Sequence, residues 1–169
     1  MEFKNTENQI NLILSSERAT TLLAESLARS TEANATILLY GQVGAGKTFF
    51  ARKFIQKILL HHGLYEDVPS PTYTLIQTYE TPKVDIWHAD LYRLSSYEDI
   101  IELGLIDAFN SNTCLVEWPE KLDKSIPLNA IKIELSHHSE RKRECTLICQ
   151  DEKVMNKLKL IVKKLQNEI

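Results

Sequence analysis

The sequence predicts an α/β sandwich in which helices flank a central mixed β-sheet. Stretches with apolar residues at helical spacing alternate with short apolar runs, which is typical of strands joined by crossover helices. Other neighbouring apolar runs are separated only by turn residues, which is typical of hairpins. Because crossovers join parallel strands and hairpins join antiparallel ones, the sheet is expected to contain both kinds of pair.

The elements of the first half follow from apolar spacing and from residues that stop a helix. Residues 10–14 predict a short strand, and a helix capped by Ser15 or Ser16 follows it. The compact apolar run 35–40 predicts a strand that is buried on both faces. A glycine-rich turn and a second amphipathic helix come next, and Gly63 is expected to end that helix.

The second half is predicted to contain two hairpins, one further strand and two helices. Its predicted strands share alternating or continuous apolar residues and span 71–79, 84–92, 114–118, 131–135 and 145–149. The predicted helices, 95–109 and 151–166, carry apolar residues at helical spacing.

Size, charge and cysteine content limit the class of protein. The 169 residues are expected to form a single domain, 1–169, because no Pro/Gly-rich linker divides them. The formal net charge of −3 argues against a protein that holds duplex nucleic acid by charge alone. Cys145 and Cys149 lie too far apart along one strand to form a disulfide, so the cysteines are expected to be reduced. Residues 1–5 lack a signal-peptide pattern and no apolar run could span a bilayer, so the expected location is the cytoplasm.

Residues 41–48, Gly-Gln-Val-Gly-Ala-Gly-Lys-Thr, satisfy the G-x-x-x-x-G-K-[ST] pattern of a P-loop. The motif follows a predicted buried strand and opens a predicted helix, which argues against a chance match and makes the expected sandwich P-loop NTPase-like. Glycines let successive backbone N–H groups surround a phosphate, Lys47 places a charge beside the β- and γ-phosphates, and Thr48 offers a hydroxyl to Mg²⁺. The expected nucleotide contacts are Gly41, Val43, Gly44, Ala45, Gly46, Lys47 and Thr48.

Two carboxylates stand at the carboxyl ends of predicted apolar strands, where functional side chains gather in α/β sheets. They are Asp90 and Glu117. Hydrolysis of a nucleotide requires carboxylates that hold Mg²⁺ and orient water, so both are candidates for the metal site and for catalysis together with Lys47. An ordinary strand-end residue that bonds backbone amides is the alternative for each. Glu117 is favoured slightly, because a carboxylate between an apolar run and Trp118 needs a cationic partner.

Other reactive side chains offer weaker patterns. His88 is two residues before Asp90 on the same strand face, and a lone strand histidine is more often a packed or surface residue than a base. No Cys/His cluster has the spacing of zinc ligands, and no Ser or Cys stands in a nucleophile elbow.

Taken together, these residues resemble the bacterial TsaE family. The resemblance covers nearly the whole chain, and apart from the widely shared P-loop it depends on motifs that are specific in this order and spacing. The matching segments are Gly-Ala-Gly-Lys-Thr at 44–48, Ser-Pro-Thr-Tyr-Thr-Leu at 70–75, His-Ala-Asp-Leu-Tyr-Arg-Leu at 88–94, Glu-Leu-Gly at 102–104 and Leu-Val-Glu-Trp-Pro at 115–119.

The resemblance implies an ATPase that takes part in threonylcarbamoyladenosine synthesis on tRNA, with ATP and Mg²⁺ as its cofactors. It implies that Thr48 and Glu117 serve the metal and that Asp90 lies near the metal and the attacking water. Residues 70–74 would act as a switch that senses the γ-phosphate. Trp118 would lie close to the nucleotide, and a basic residue of the final hairpin, best matched by Arg143, would approach it.

The same resemblance implies partners, TsaD and TsaB, through which the chain would reach tRNA. A small-molecule kinase that uses the same P-loop is the alternative, although no Arg-rich lid is evident. A GTPase-like switch is a third possibility, since residues 120–123, Glu-Lys-Leu-Asp, partly match the guanine-reading N-K-x-D motif. Its first position differs, however, and no D-x-x-G segment accompanies it.

Overall fold

The computed structural model describes residues 5–31, 34–122 and 125–166, so residues 1–4 and Asp123 lie outside the described ranges. The strands are β1 (Asn5–Thr6), β2 (Gln9–Leu14), β3 (Thr36–Tyr40), β4 (Ile76–Tyr79), β5 (Ile86–Asp90), β6 (Thr113–Glu117), β7 (Ile131–His137) and β8 (Arg143–Ile148). The helices are α1 (Glu17–Ser30), α2 (Lys47–His61), α3 (Tyr97–Glu102), α4 (Leu105–Ser111) and α5 (Glu152–Gln166), and Pro119–Lys121 forms one 3-10 turn.

All of the described strands join one mixed sheet, as predicted. Their order is β1-β2-β8-β7-β3-β6-β5-β4. The four central strands, β7, β3, β6 and β5, are mutually parallel, whereas β4 at one side and β8, β2 and β1 at the other pair antiparallel. Both predicted hairpins, β4–β5 and β7–β8, are confirmed.

Apolar residues on both faces of the central strands hold the helices in two layers. In β3, Ile37 and Leu39 belong to a cluster that includes the buried residues of α1, α2 and α5. Leu38 points to the opposite face and joins a second cluster with residues of α3 and α4. Alternation of side chains along a strand explains why one apolar run can serve both layers.

The parallel register brings the ends of three strands to the same edge of the sheet. Glu117, the last residue of β6, is the register partner of Leu39 in β3 and of Asp90 in β5. The chain then turns from β3 into the glycine-rich loop before α2. The sheet therefore places both candidate carboxylates next to the predicted phosphate-binding loop.

Two predicted elements differ from the structure. The strand predicted over 71–79 is shorter, because the Leu75 N–H bonds to the Pro71 carbonyl at 2.7 Å and closes a turn before β4 begins at Ile76. The helix predicted over 95–109 is divided, because Gly104 has φ +72° and ends one helix before the next begins.

Helix ends and cysteines agree with the sequence-based predictions. The Ser16 side chain, not that of Ser15, accepts a hydrogen bond from the Ala19 N–H and caps α1. Cys114, Cys145 and Cys149 are buried free thiols, and burial raises the pKa of Cys145 to about 12. No helix in the described part of the chain has the length and apolar character needed to cross a membrane.

Candidate functional site

The loop between β3 and α2 takes a shape that requires glycine. Gly41, Gly44 and Gly46 all have positive φ, at +137°, +78° and +106°. A Cβ atom on Gly41 would lie 2.2 Å from the Leu135 carbonyl oxygen of β7, so no side chain fits there. Gly46 precedes α2 without any side-chain cap, which leaves the first N–H groups of this helix available to an anion.

Lys47 is folded back over this loop. Its Nζ donates to the carbonyl oxygens of Gly41 at 2.6 Å and Gln42 at 3.0 Å, and its side chain is 5% exposed. The ammonium also lies 3.8 Å from the centre of the Trp118 ring, a cation–π contact. Desolvation lowers the pKa of Lys47, and the negative charge of Glu117 partly opposes this shift. The cation is thus held beside the carboxylates by contacts that a phosphate could replace.

Glu117 links the sheet to the start of α2. It is 2% exposed, and its Oε2 accepts a hydrogen bond from the Thr48 hydroxyl at 2.8 Å. Its other oxygen, Oε1, lies 2.9 Å from Nε2 of His88, a fully buried residue of β5. The Nδ1 atom of His88 has no hydrogen-bond partner in the described part of the chain. Both oxygens of the Glu117 carboxylate are therefore held in fixed positions.

Asp90 connects the sheet to residues 70–74. Its Oδ2 accepts from the Thr72 hydroxyl at 2.7 Å, and its Oδ1 accepts from the Tyr92 N–H at 3.0 Å. The Thr72 hydroxyl is also 2.8 Å from that of Ser70. A movement of the loop around Thr72 would consequently change the environment of the Asp90 carboxylate.

Trp118 adopts a backbone conformation that is uncommon for a residue with a side chain. Its φ is +57° and its ψ is 53°, and its N–H donates to the Leu39 carbonyl at 3.2 Å. Its ring packs 4.9 Å from that of Tyr92 and covers Lys47. Such backbone strain costs about 1 kcal/mol or more, and here it sets the indole against the candidate phosphate site.

The predicted residues other than Gly41 line two cavities that meet at the glycine loop, whereas Gly41 packs against the Leu135 carbonyl and lines neither. The first, of about 330 Å³, is lined by Val43, Gly44, Gly46, Lys47, Thr48, Phe49, Thr72, Asp90, Tyr92, Glu117 and Trp118. The second, of about 560 Å³, is lined by Ser16, Glu17, Arg18, Thr20, Gly44, Ala45, Gly46, Phe49, Leu135, Glu140, Arg141 and Arg143. Lys47, Thr48, Asp90, Glu117 and Trp118 thus come together, whereas Arg143 lies on the other side of the loop.

Several residues of the site had no individual signal in the sequence. Tyr92 and Phe49 line the first cavity because the chain turns beside the loop. Phe49 lies outside the matching motifs, and Tyr92 lies within the segment 88–94 but had no predicted role of its own. Thr72 lies within the predicted switch segment, but only the fold shows that its hydroxyl contacts Asp90. In the described ranges, no three His, Cys, Asp or Glu side chains are grouped as metal ligands.

Known proteins match this chain over most of its length. The family model described as "Threonylcarbamoyl adenosine biosynthesis protein TsaE" matches residues 14–145. A Rickettsia felis protein with the name tRNA threonylcarbamoyladenosine biosynthesis protein TsaE is 43% identical over 137 residues, which cover 81% of this chain and 78% of that protein. A protein of the same name from Haemophilus influenzae is 37% identical over 71% of this chain and 73% of that protein. One from Bacillus subtilis is 30% identical over 75% of this chain and 77% of that protein.

A solved structure confirms the fold. The crystal structure of YdiB from Bacillus subtilis superimposes with a TM-score of 0.70 at 22% sequence identity, covering 99% of this chain and 98% of that one. The family match and the sequence relatives agree with the motifs assembled around the glycine loop. The chain belongs to the TsaE family of threonylcarbamoyladenosine biosynthesis proteins.

Proposed function

We propose that this chain binds ATP with Mg²⁺ at the first cavity and hydrolyses it, in the service of threonylcarbamoyladenosine modification of tRNA beside the anticodon. The observation that supports the proposal most is the convergence of a phosphate-binding loop, a buried lysine and two strand-end carboxylates on one cavity of about 330 Å³. Membership of the TsaE family supplies the biological setting.

Phosphate binding would rest on the backbone of the loop and on Lys47. The uncapped start of α2 presents N–H groups, and the partial positive charge of the helix end favours an anion. Lys47 would leave the carbonyl oxygens of Gly41 and Gln42 and turn its ammonium toward the β- and γ-phosphates. The nucleoside would extend across the glycine loop toward the second cavity, where Arg143 lies.

The side chains around Thr48 fit Mg²⁺ by their chemistry. The Thr48 hydroxyl and the carboxylates of Glu117 and Asp90 are oxygen donors, which Mg²⁺ prefers. Mg²⁺ is typically held by one or two carboxylates together with substrate phosphates and water, so these side chains would share the ion with the nucleotide. When bound, the ion would neutralise charge on the transferred phosphoryl group.

The carboxylates would order the attacking water and accept its proton. Glu117 is fixed by bonds to both of its oxygens, so it offers a rigid acceptor beside the phosphate site. Asp90 is bonded to Thr72, so residues 70–74 would transmit the presence of a γ-phosphate to that carboxylate. These contacts make Glu117 the stronger candidate for the chemical step and Asp90 the stronger candidate for sensing.

The proposed partners are TsaD and TsaB, and tRNA would be reached through them. A net charge of −3 gives this chain little means of holding tRNA by itself. Val43 is 73% exposed and Tyr73 is 87% exposed. Val43 lines the first cavity and Tyr73 follows Thr72, which also lines it, so a partner that covered both side chains would also order the site.

The fluorescence of Trp118 tests nucleotide binding, because Lys47 must leave its ring when it turns to a phosphate. The variant Trp87→Phe retains Trp118 as the one tryptophan, since the chain has two. We expect ATP with Mg²⁺ to change the emission of this variant saturably, and GTP to compete poorly. An emission insensitive to every nucleotide would contradict the proposal, and phosphate transfer to an added metabolite would favour a kinase.

A further inference from the structure

The imidazole of His88 is a buried polar group that the proposed chemistry does not use. It is 0% exposed and lies in the middle of β5, where its register partner in β6 is Leu115. Among the described residues, the one hydrogen bond of the ring joins Nε2 to the Glu117 Oε1 atom at 2.9 Å. Burial of a polar ring is unfavourable unless its bonds repay the lost hydration.

The count of hydrogen bonds determines which tautomer of His88 suits this position. A carboxylate oxygen only accepts, so the nitrogen that faces Glu117 must carry the proton. The Nδ1 atom has no partner among the described residues, and a buried N–H without an acceptor would be costly there. The Nε2–H tautomer satisfies both conditions and makes His88 a fixed donor to Glu117.

A fixed donor matters because the terminal torsion of a glutamate side chain is broad and has no strong intrinsic preference. Two bonds hold the Glu117 carboxylate, one from the Thr48 hydroxyl to Oε2 and one from His88 to Oε1. In the proposed nucleotide complex a lone pair of the Thr48 oxygen serves the metal, while its O–H can still donate to Glu117. The bond from His88 comes from a fully buried strand and would persist.

We propose that His88 is a positioning residue, which holds the Glu117 carboxylate in its working orientation from behind the site. This inference rests on the proposed function, because the orientation matters only if Glu117 acts on bound nucleotide. The sequence pattern alone favoured a packed or surface histidine at position 88, with no specific role in the site.

Two substitutions of His88 separate positioning from packing. The terminal amide nitrogen of Gln lies at the same distance along the side chain as Nε2, so His88→Gln can keep the bond to Glu117. The amide nitrogen of Asn corresponds instead to Nδ1, which faces no partner in the described part of the chain. Asn is one methylene smaller than Gln, so the thermal unfolding midpoint of each variant is measured to assess its loss of packing separately.

We expect His88→Gln to keep ATP turnover near that of the wild type and His88→Asn to lower kcat about 10- to 100-fold, as is typical when an orienting partner is lost. The Kd for ATP measured without Mg²⁺ should be unchanged in both variants, and the thermal unfolding midpoint should be somewhat lower for Asn than for Gln, because Asn fills less of the buried site. Equal kcat in the two variants, whether high or low, would overturn the positioning role and leave His88 as a packing residue.

The effect of Mg²⁺ on ADP affinity tests the role of His88 independently of ATP hydrolysis. The affinity for ADP is measured with and without Mg²⁺, and the gain due to Mg²⁺ is expected to fall in His88→Asn but not in His88→Gln. If the wild type did not hydrolyse ATP, the proposed function would fail while this comparison could still support the orienting role of His88. A gain due to Mg²⁺ that was the same in wild type, His88→Gln and His88→Asn would overturn it.

Discussion

Replacing Glu117 by Gln is expected to lower ATP turnover by at least about 100-fold while the Kd for ATP stays within about threefold of the wild-type value. The Gln side chain has nearly the shape of Glu and can still accept a hydrogen bond from the Thr48 hydroxyl. It has no negative charge with which to accept a proton from water or to attract a cation. Phosphate release measures turnover, and Trp118 fluorescence measures binding.

The matched control for Glu117→Gln is Glu120→Gln. Glu120 is an exposed residue three positions further along, and its charge also reaches Lys47. This variant removes the same charge without touching the Thr48 contact, so we expect turnover to stay near the wild-type rate. Retained turnover in Glu117→Gln would refute the role assigned to that carboxylate, and loss in both variants would indicate a general electrostatic effect.

Lys47→Ala is expected to weaken ATP binding by about 10- to 100-fold, because a charge-assisted hydrogen bond contributes about 1.5–3 kcal/mol. The loss should extend to ADP, since the ammonium would lie beside both the β- and the γ-phosphate. Isothermal titration calorimetry is the suitable measurement, because the substitution itself removes the cation from the Trp118 ring.

Lys57→Ala serves as the control for Lys47→Ala. Lys57 belongs to the same helix, α2, but its ammonium pairs with Glu25 at 3.7 Å, away from the glycine loop. Both side chains of this pair are partly exposed, and ion pairs in contact with solvent contribute roughly 0–1 kcal/mol, so the variant should fold and bind ATP normally. Unchanged ATP affinity in Lys47→Ala would show that the loop holds nucleotide without its lysine and would contradict the proposed phosphate contact.

The parts of the candidate site that depend on strand ends and on local residue spacing could be predicted from the sequence. The glycine loop is a local structure, since Gly41, Gly44 and Gly46 supply positive φ within six residues. The carboxylates follow from position, because parallel strands bring Asp90 and Glu117 to the same edge. An apolar run that ends in an acid therefore predicts both a strand and the place of its last side chain.

Contacts between distant segments could not be predicted in this way. The bond between Thr72 and Asp90 depends on a turn at 71–75 that shortens β4, whereas a Thr/Tyr-rich composition alone favours a longer strand. The position of Trp118 over Lys47 depends on a left-handed backbone that is rare for a residue with a side chain. The sequence left open whether His88 is packed or exposed, because alternation along β5 does not reveal that both faces of the sheet are covered.

We propose that this site hydrolyses ATP with Mg²⁺ and that partner proteins govern the rate. Phosphate release from ATP is measured for the purified chain with Mg²⁺ or with EDTA, alone and after addition of TsaD, TsaB and tRNA. We expect slow release that requires Mg²⁺ and is stimulated by the partners, because docking on the exposed rim of the site would complete it. Absence of Mg²⁺-dependent release under every one of these conditions would contradict it.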